Sequence, residues 1–141
     1  MEVTSTPNPE DEKRVIEATR LYNSGFNKKD VLPLCVFDRN ENGTVIGGLT
    51  GKTYWNYLDV GYLWVDENYR NQGRAKAILE AAEEEAFLRG CRHVLLDTYS
   101  FQALGFYLKQ GYEEFGSISG FSGRHSKHYL HKFLVDTHID E

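Results

Sequence analysis

Cysteine is scarce in this 141-residue chain: there are two, Cys35 and Cys91, and no CxxC pair. Both are expected to be reduced, buried small hydrophobes in a cytoplasmic protein. No apolar run approaches the roughly 20 residues that would span a membrane, so no membrane partner is expected. The opening residues, "MEVTSTPNPEDEKR", lack the basic start and apolar middle of a signal peptide. Positive charge is also in short supply. Lys and Arg number 16 against 21 Asp and Glu, a net charge of −5. That balance speaks against general nucleic-acid binding, which needs a basic face, and would suit a cationic substrate such as an amine. Internal repeats, low-complexity tracts and long linkers are absent, so residues 1–141 read as one domain with a real core and little more.

What is present alternates between two periods. "MEVTSTP" reads as a short first strand. A helix then starts with Asn8 as N-cap, Pro9 at the first helical position and acids in the first turn. Val15, Ile16, Ala18, Thr19 and Tyr22 supply a rough apolar face, and Gly25 is the expected stop. Segments 31–38, 44–55 and 57–66 read as three strands of an antiparallel meander, the first two joined by a turn at "RNENG". From Gln72 to Arg89 the apolar positions Ala75, Ile78, Leu79, Ala82 and Ala86 take helical spacing, and Gly90 terminates it. "CRHVLLDTY" is a further strand. Ser100 is expected to cap a helix over "FQALGFYLKQ", and two final strands follow. The fold class is α+β with a mixed sheet.

The stretch "NYRNQGRAKAI" has its charges in an unexpected order. Arg70, Arg74 and Lys76 gather at a helix start, where the macrodipole disfavours cations by roughly 0.3–1 kcal/mol each. Two readings fit. The cations pair with Glu80 and Glu84 at helical spacing, or they surround a phosphorylated ligand. The second draws support from Gly73, which has no Cβ and lets a ligand approach the backbone. The free N–H groups of a helix start then form an anion site. The stretch is neither a Walker motif nor a dinucleotide fingerprint, since GK[ST] and GxGxxG are both missing.

Two blocks in order, "VGYLWVDENYRNQGRAKAILEAA" and "LLDTYSFQALGFYLKQGYEEFG", resemble the GNAT superfamily of N-acetyltransferases. Arg70, Gly73 and Ala75 match its acetyl-CoA motif R/Q-x-x-G-x-G/A. Ala103, Phe106, Tyr107, Lys109, Gly111 and Tyr112 match its later motif. The resemblance is tight over residues 57–115. It implies a GNAT-like, mixed, mostly antiparallel central sheet with splayed middle strands and flanking helices in three α/β/α layers. It implies acetyl-CoA as co-substrate and direct acetyl transfer to an amine. The pyrophosphate would sit on Asn71, Gln72, Gly73, Arg74, Ala75 and Lys76 beside Arg70. The pantetheine arm would pair with Leu63, Trp64 and Val65. Ser100 stands where the family often has Asn, and with Ala103 it would border the cofactor arm. Homodimers are common in the family. The acceptor, a small-molecule or peptide amine, has no signature here, although its site would draw on residues 20–32 and 114–126.

The chemistry needs a base for the amine, donors for the carbonyl oxygen and an acid for the departing thiolate. Backbone N–H groups near Trp64 and Val65 are candidates for the oxygen. Tyr107 is the candidate acid, because a phenol of reference pKa near 10 can protonate a thiolate of similar basicity. It also matches the family's tyrosine. Asp59 is the candidate base: an acid on an apolar strand must be paired or face a cavity. It matches the glutamate of lysine-acetylating members. Asp97 and Glu114 are weaker substitutes. His125, His128 and His131 lie three apart on a strand and cannot converge on a metal, so no metal is expected. Tyr54, Trp55, Tyr57 and Tyr62 form an aromatic cluster, read first as strand packing. The alternative to an enzyme is a catalytically silent acyl-CoA-binding regulatory domain, which would keep Gly73 but need neither Asp59 nor Tyr107.

Overall fold

A computed structural model describes residues 1–121 and 123–136. The chain divides into two compact units, Met1–Asp30 and Val31–Glu141. The first unit holds helix α1 (Pro9–Asn23). Asn8 caps it through its side-chain oxygen, which accepts the Glu10 N–H, and Glu10, Asp11 and Glu12 face the positive end of the dipole. Its C-cap is Ser24, whose N–H bonds Arg20 O at 2.9 Å, and Gly25 follows directly. No residue of α1 is buried, including the expected apolar face. The expected strand at residues 1–7 does not form. Thr4 Oγ1 instead accepts the Thr6 N–H at 3.0 Å, a local bond that competes with an extended ladder.

The second unit contains β1 (Leu32–Arg39), β2 (Val45–Tyr54), β3 (Tyr57–Val65), α2 (Arg74–Leu88), β4 (His93–Tyr99), α3 (Leu104–Lys109), β5 (Glu113–Phe121) and β6 (His125–Phe133). They form a six-stranded sheet in the order β1-β2-β3-β4-β6-β5. Every neighbouring pair is antiparallel except β3–β4, which α2 connects as a crossover. The β1–β2 turn closes with Gly43 at φ +80° and its N–H on Asn40 O. The core lies on one face. Leu34, Leu49, Leu58, Val94, Leu96 and Leu130 of the strands pack with Ile78, Leu79, Ala82 and Ala86 of α2, and Cys91 joins them fully buried. Cys35 departs from expectation and is exposed. On β1 it alternates with the buried Leu34 and so points to the other side of the sheet.

Two irregularities shape the middle of the sheet. The parallel pairing of β3 and β4 spans only Tyr57↔His93, Leu58↔Val94 and Asp59↔Leu95. β3 then runs on to Val65 and β4 to Tyr99 without pairing to each other, which leaves a gap between them. This is the splay expected of the fold. Where the gap opens, β3 carries a bulge: Thr50 faces Tyr62 while Gly51 faces Val60, so Gly61 is the extra residue. A bulge leaves its extra residue out of the ladder and bends the strand. It also resets the alternation, so that Leu58, Val60, Leu63 and Val65 face α2 while Asp59, Tyr62 and Trp64 face the other side.

Candidate active site

β3 leads into a 3₁₀ turn over Glu67–Tyr69 and then into the start of α2. Gly73 is the N-cap of α2, at φ +75°. That conformation requires glycine, and a Cβ built there would meet no atom within 4 Å, so the backbone faces open space. Asn71 is also left-handed, at φ +60°. A left-handed residue next to a helical one, as Gly73 is to Arg74, turns successive N–H groups towards one side, a concavity suited to anions. The first intrahelical bond runs from the Ala77 N–H to Gly73 O, so the N–H groups of Arg74, Ala75 and Lys76 precede it and point outward. No acid stands in the first turn of α2 to compete with an anion.

The expected cofactor residues Val65, Arg70, Asn71, Gly73, Arg74, Ala75 and Lys76 line a single cavity of about 290 Å³, with Phe106 of α3 among the lining residues. The cations have partners of their own. Arg70 Nε donates to Val65 O at 2.9 Å. Arg74 bonds Asp38 Oδ2 at 2.8 Å and Gln72 Oε1 at 3.0 Å, with its guanidinium 5.2 Å from the Tyr69 ring centre. Lys76 Nζ lies 3.9 Å from Glu80 at the helical spacing foreseen. Of the pairing expected with Glu80 and Glu84, the structure shows Lys76–Glu80, whereas Arg74 turns to Asp38 and Arg70 to a backbone carbonyl. Gln72 lies beside the cavity, lining a groove with Asp38. Leu63 is half-buried against the core, and Trp64 is about half exposed.

Ser100 does not cap α3. Its Oγ accepts the Ser126 N–H at 3.0 Å and its N–H bonds Ser126 O at 2.8 Å, so it ties the end of β4 to β6. α3 is shorter than expected and begins after Ala103, whose N–H reaches Thr98 Oγ1 at 3.4 Å.

Tyr107 is on the α2 side of the sheet and 6% exposed, with ring centres of Phe106 and Tyr112 at 5.3 and 5.6 Å. Burial, and then the charge of Asp97, push its phenol up to about 12. It is therefore protonated throughout the neutral range and has a proton to give. Asp59 lies half-buried on the opposite side, at the last paired position before the gap. The acid and base candidates thus lie on opposite faces of the sheet. Tyr57 beside Asp59 has its phenol raised by burial first and by Asp59 second.

Three features escaped the sequence reading. Phe106, a position of the later motif, also lines the cavity at the start of α2, which the motif does not indicate. The left-handed Asn71 had no sequence signal beyond the tolerance of Asn for that conformation. Glu83 does carry a sequence signal: it falls on the buried stripe of α2, between Ala82 and Ala86. It accepts Tyr112 Oη at 2.6 Å and Lys132 Nζ at 2.9 Å, which anchors the ring against which Tyr107 packs. The histidines diverge. His131 Nε2 bonds His93 Nδ1 at 2.9 Å, while His128 lies between Glu114 Oε1 and Ser126 Oγ. Among the described residues no three metal-ligating side chains gather, and no helix is long and apolar enough to cross a membrane. Of the aromatic cluster, Tyr54 stacks on Trp55 and meets Tyr57 edge-on, but Tyr62 is 80% exposed.

A mixed sheet whose middle strands splay apart, with β3 leading into a helix start that has a left-handed glycine cap, is the framework of an acetyltransferase fold. The model of the acetyltransferase (GNAT) family matches residues 2–112, and the chain belongs to that family. It is 37% identical over 124 residues to the acetyltransferase Atu2258 of Agrobacterium fabrum, spanning 87% of this chain and 90% of that one. It is also 37% identical over 95 residues to the blasticidin-S acetyltransferase of Streptomyces morookaense, spanning 67% of this chain and 70% of the relative. The crystal structure of an acetyltransferase from Agrobacterium tumefaciens superposes with a TM-score of 0.88 at 34% identity, over 94% of this chain and 98% of the other.

Proposed function

We propose that this protein moves an acetyl group from acetyl-CoA to a primary amine by direct attack within a ternary complex. The observation that supports the reading is one cavity lined both by Val65, at the end of the strand that splays from β4, and by Gly73, Arg74, Ala75 and Lys76 at the start of α2. The amides and the left-handed Gly73 bind the pyrophosphate. The free edge of β3 from Leu63 to Val65 pairs with the pantetheine arm, and the thioester reaches the bulge at Gly61. The amine arrives from the Asp59 face and loses a proton to that carboxylate. Its nitrogen attacks the carbonyl carbon, and backbone N–H groups of the bent strand receive the charge on the oxygen. The C–S bond breaks, and Tyr107 protonates the departing thiolate from the α2 side.

The acceptor is a small-molecule amine on this reading, which the antibiotic named for the Streptomyces relative supports. The test is release of free CoA thiol across a panel of amines, with the acetylated product identified by mass. Turnover with at least one acceptor is expected. Tight acetyl-CoA binding with no turnover on any amine would overturn the transferase reading in favour of a silent binding domain.

A further inference from the structure

Lys127 of β6 carries an ammonium of the protein's own, and its surroundings are those of an amine-binding site. Its Nζ lies 3.7 Å from Asp97 Oδ1, and 5.6 Å from the ring centres of both Tyr99 and Tyr129. The register explains the grouping. Lys127 pairs with Tyr99 and Tyr129 with Asp97, so all four side chains stand on one face, the face of Asp59 and away from α2. A carboxylate with two aromatic faces is a recognised arrangement for an organic cation. The Lys127 side chain is only 24% exposed, whereas Asp97 keeps 50% of its surface open.

The position matters as much as the composition. β3 and β4 advance in step through Leu58↔Val94 and Asp59↔Leu95. Two residues further on, Asp97 on β4 stands level with the bulged Gly61 on β3, across the opened gap. Asp97 also contributes to raising the Tyr107 phenol, so its charge reaches the acid candidate on the other face. The site therefore borders the place where the transfer occurs.

We propose that Asp97, Tyr99 and Tyr129 hold a cationic group of the acceptor, and that Lys127 Nζ fills this place as an internal competitor until the acceptor displaces it. A part-exposed ion pair is weak, so the exchange is easy. The reacting amine must be neutral when it attacks, whereas this site keeps a positive charge throughout. It therefore selects acceptors with a second cation: diamines over monoamines of equal length. The proposal rests on the transferase reading for its meaning but not for its test.

The experiment is calorimetric titration of the protein, saturated with CoA, with 1,5-diaminopentane and with pentylamine. Each is titrated into wild type, Asp97→Asn and Lys127→Met. KM values for the two amines are measured alongside. The wild type is expected to bind the diamine about 10-fold more tightly than the monoamine, a difference typical of one added cation contact. Asp97→Asn should erase that preference, and Lys127→Met should tighten diamine binding by removing the competitor. CoA affinity should stay unchanged in both variants. Equal binding of the two amines by wild type, an undiminished preference in Asp97→Asn, or weaker diamine binding in Lys127→Met would each overturn the proposal. Binding is read without turnover, so failure of the transferase reading would show separately as absent thiol release.

Discussion

Replacing Gly73 by Glu separates the two things that this glycine does. Any side chain at φ +75° meets the left-handed penalty of about 1–2 kcal/mol. No neighbour lies within 4 Å of a new Cβ, so there is no clash to add. The fold should survive with a melting temperature roughly 3–8 °C lower. Binding should fare much worse. A carboxylate about 5 Å from a phosphate charge, at an effective dielectric near 20, costs about 3 kcal/mol, or roughly 200-fold in Kd. The control is Gly90→Glu, which has φ +95° and equally open space but follows the far end of α2. It should melt lower by a similar amount and bind acetyl-CoA normally. The assay is calorimetric titration with acetyl-CoA, paired with thermal melting of both variants. Acetyl-CoA affinity in Gly73→Glu within about threefold of wild type would refute the phosphate site, because no arrangement of ligand on those amides escapes that charge.

Tyr107→Phe keeps the packing against Phe106 and Tyr112 and removes the proton donor. It should lower kcat by about 10-fold or more while KM for acetyl-CoA holds, as for a contact made mainly in the transition state; wild-type kcat on a good acceptor would exclude Tyr107 as the acid. Asp59→Asn should slow the reaction by about 10²–10⁴-fold, and the defect should shrink as pH nears the amine's own pKa; an unaltered pH–rate profile would show that the proton leaves elsewhere. Stability should fall in alkali. The folded Tyr107 phenol titrates at about 12 against an ordinary 10.0, so its contribution is complete below pH 10 and lost as pH rises through 12. The loss is on the order of 3 kcal/mol, read by denaturant unfolding across that range, and Tyr107→Phe should lessen the slope.

The sequence reveals local order more readily than long-range pairing. The cap at Asn8, the apolar stripe of α2 and the glycines at its ends obey rules that act within a few residues, and the structure follows them. Ser100 shows the limit. A serine before an apolar run looks like a cap, yet its partner Ser126 is 26 positions away and is set by strand order. Cys35 is similar: hydrophobicity suggests burial, but alternation with Leu34 decides its side. The bulge at Gly61 depends on the register of β2 against β3, which no single strand encodes. At the candidate site, the glycine and basic pattern was legible because it repeats a compact motif. The carboxylate–aromatic site around Lys127 was not, since its members come from two strands paired only after folding.

The most direct test of the account is a crystal structure of the protein with acetyl-CoA. The account predicts pyrophosphate oxygens on the N–H groups of Gly73 to Lys76, the pantetheine arm along Leu63 to Val65, and the thioester at Gly61 with Tyr107 Oη in hydrogen-bonding reach of its sulfur. Acetyl-CoA bound away from the β3–β4 gap, or a Tyr107 hydroxyl turned from the sulfur with Phe106 or Tyr112 between them, would contradict it.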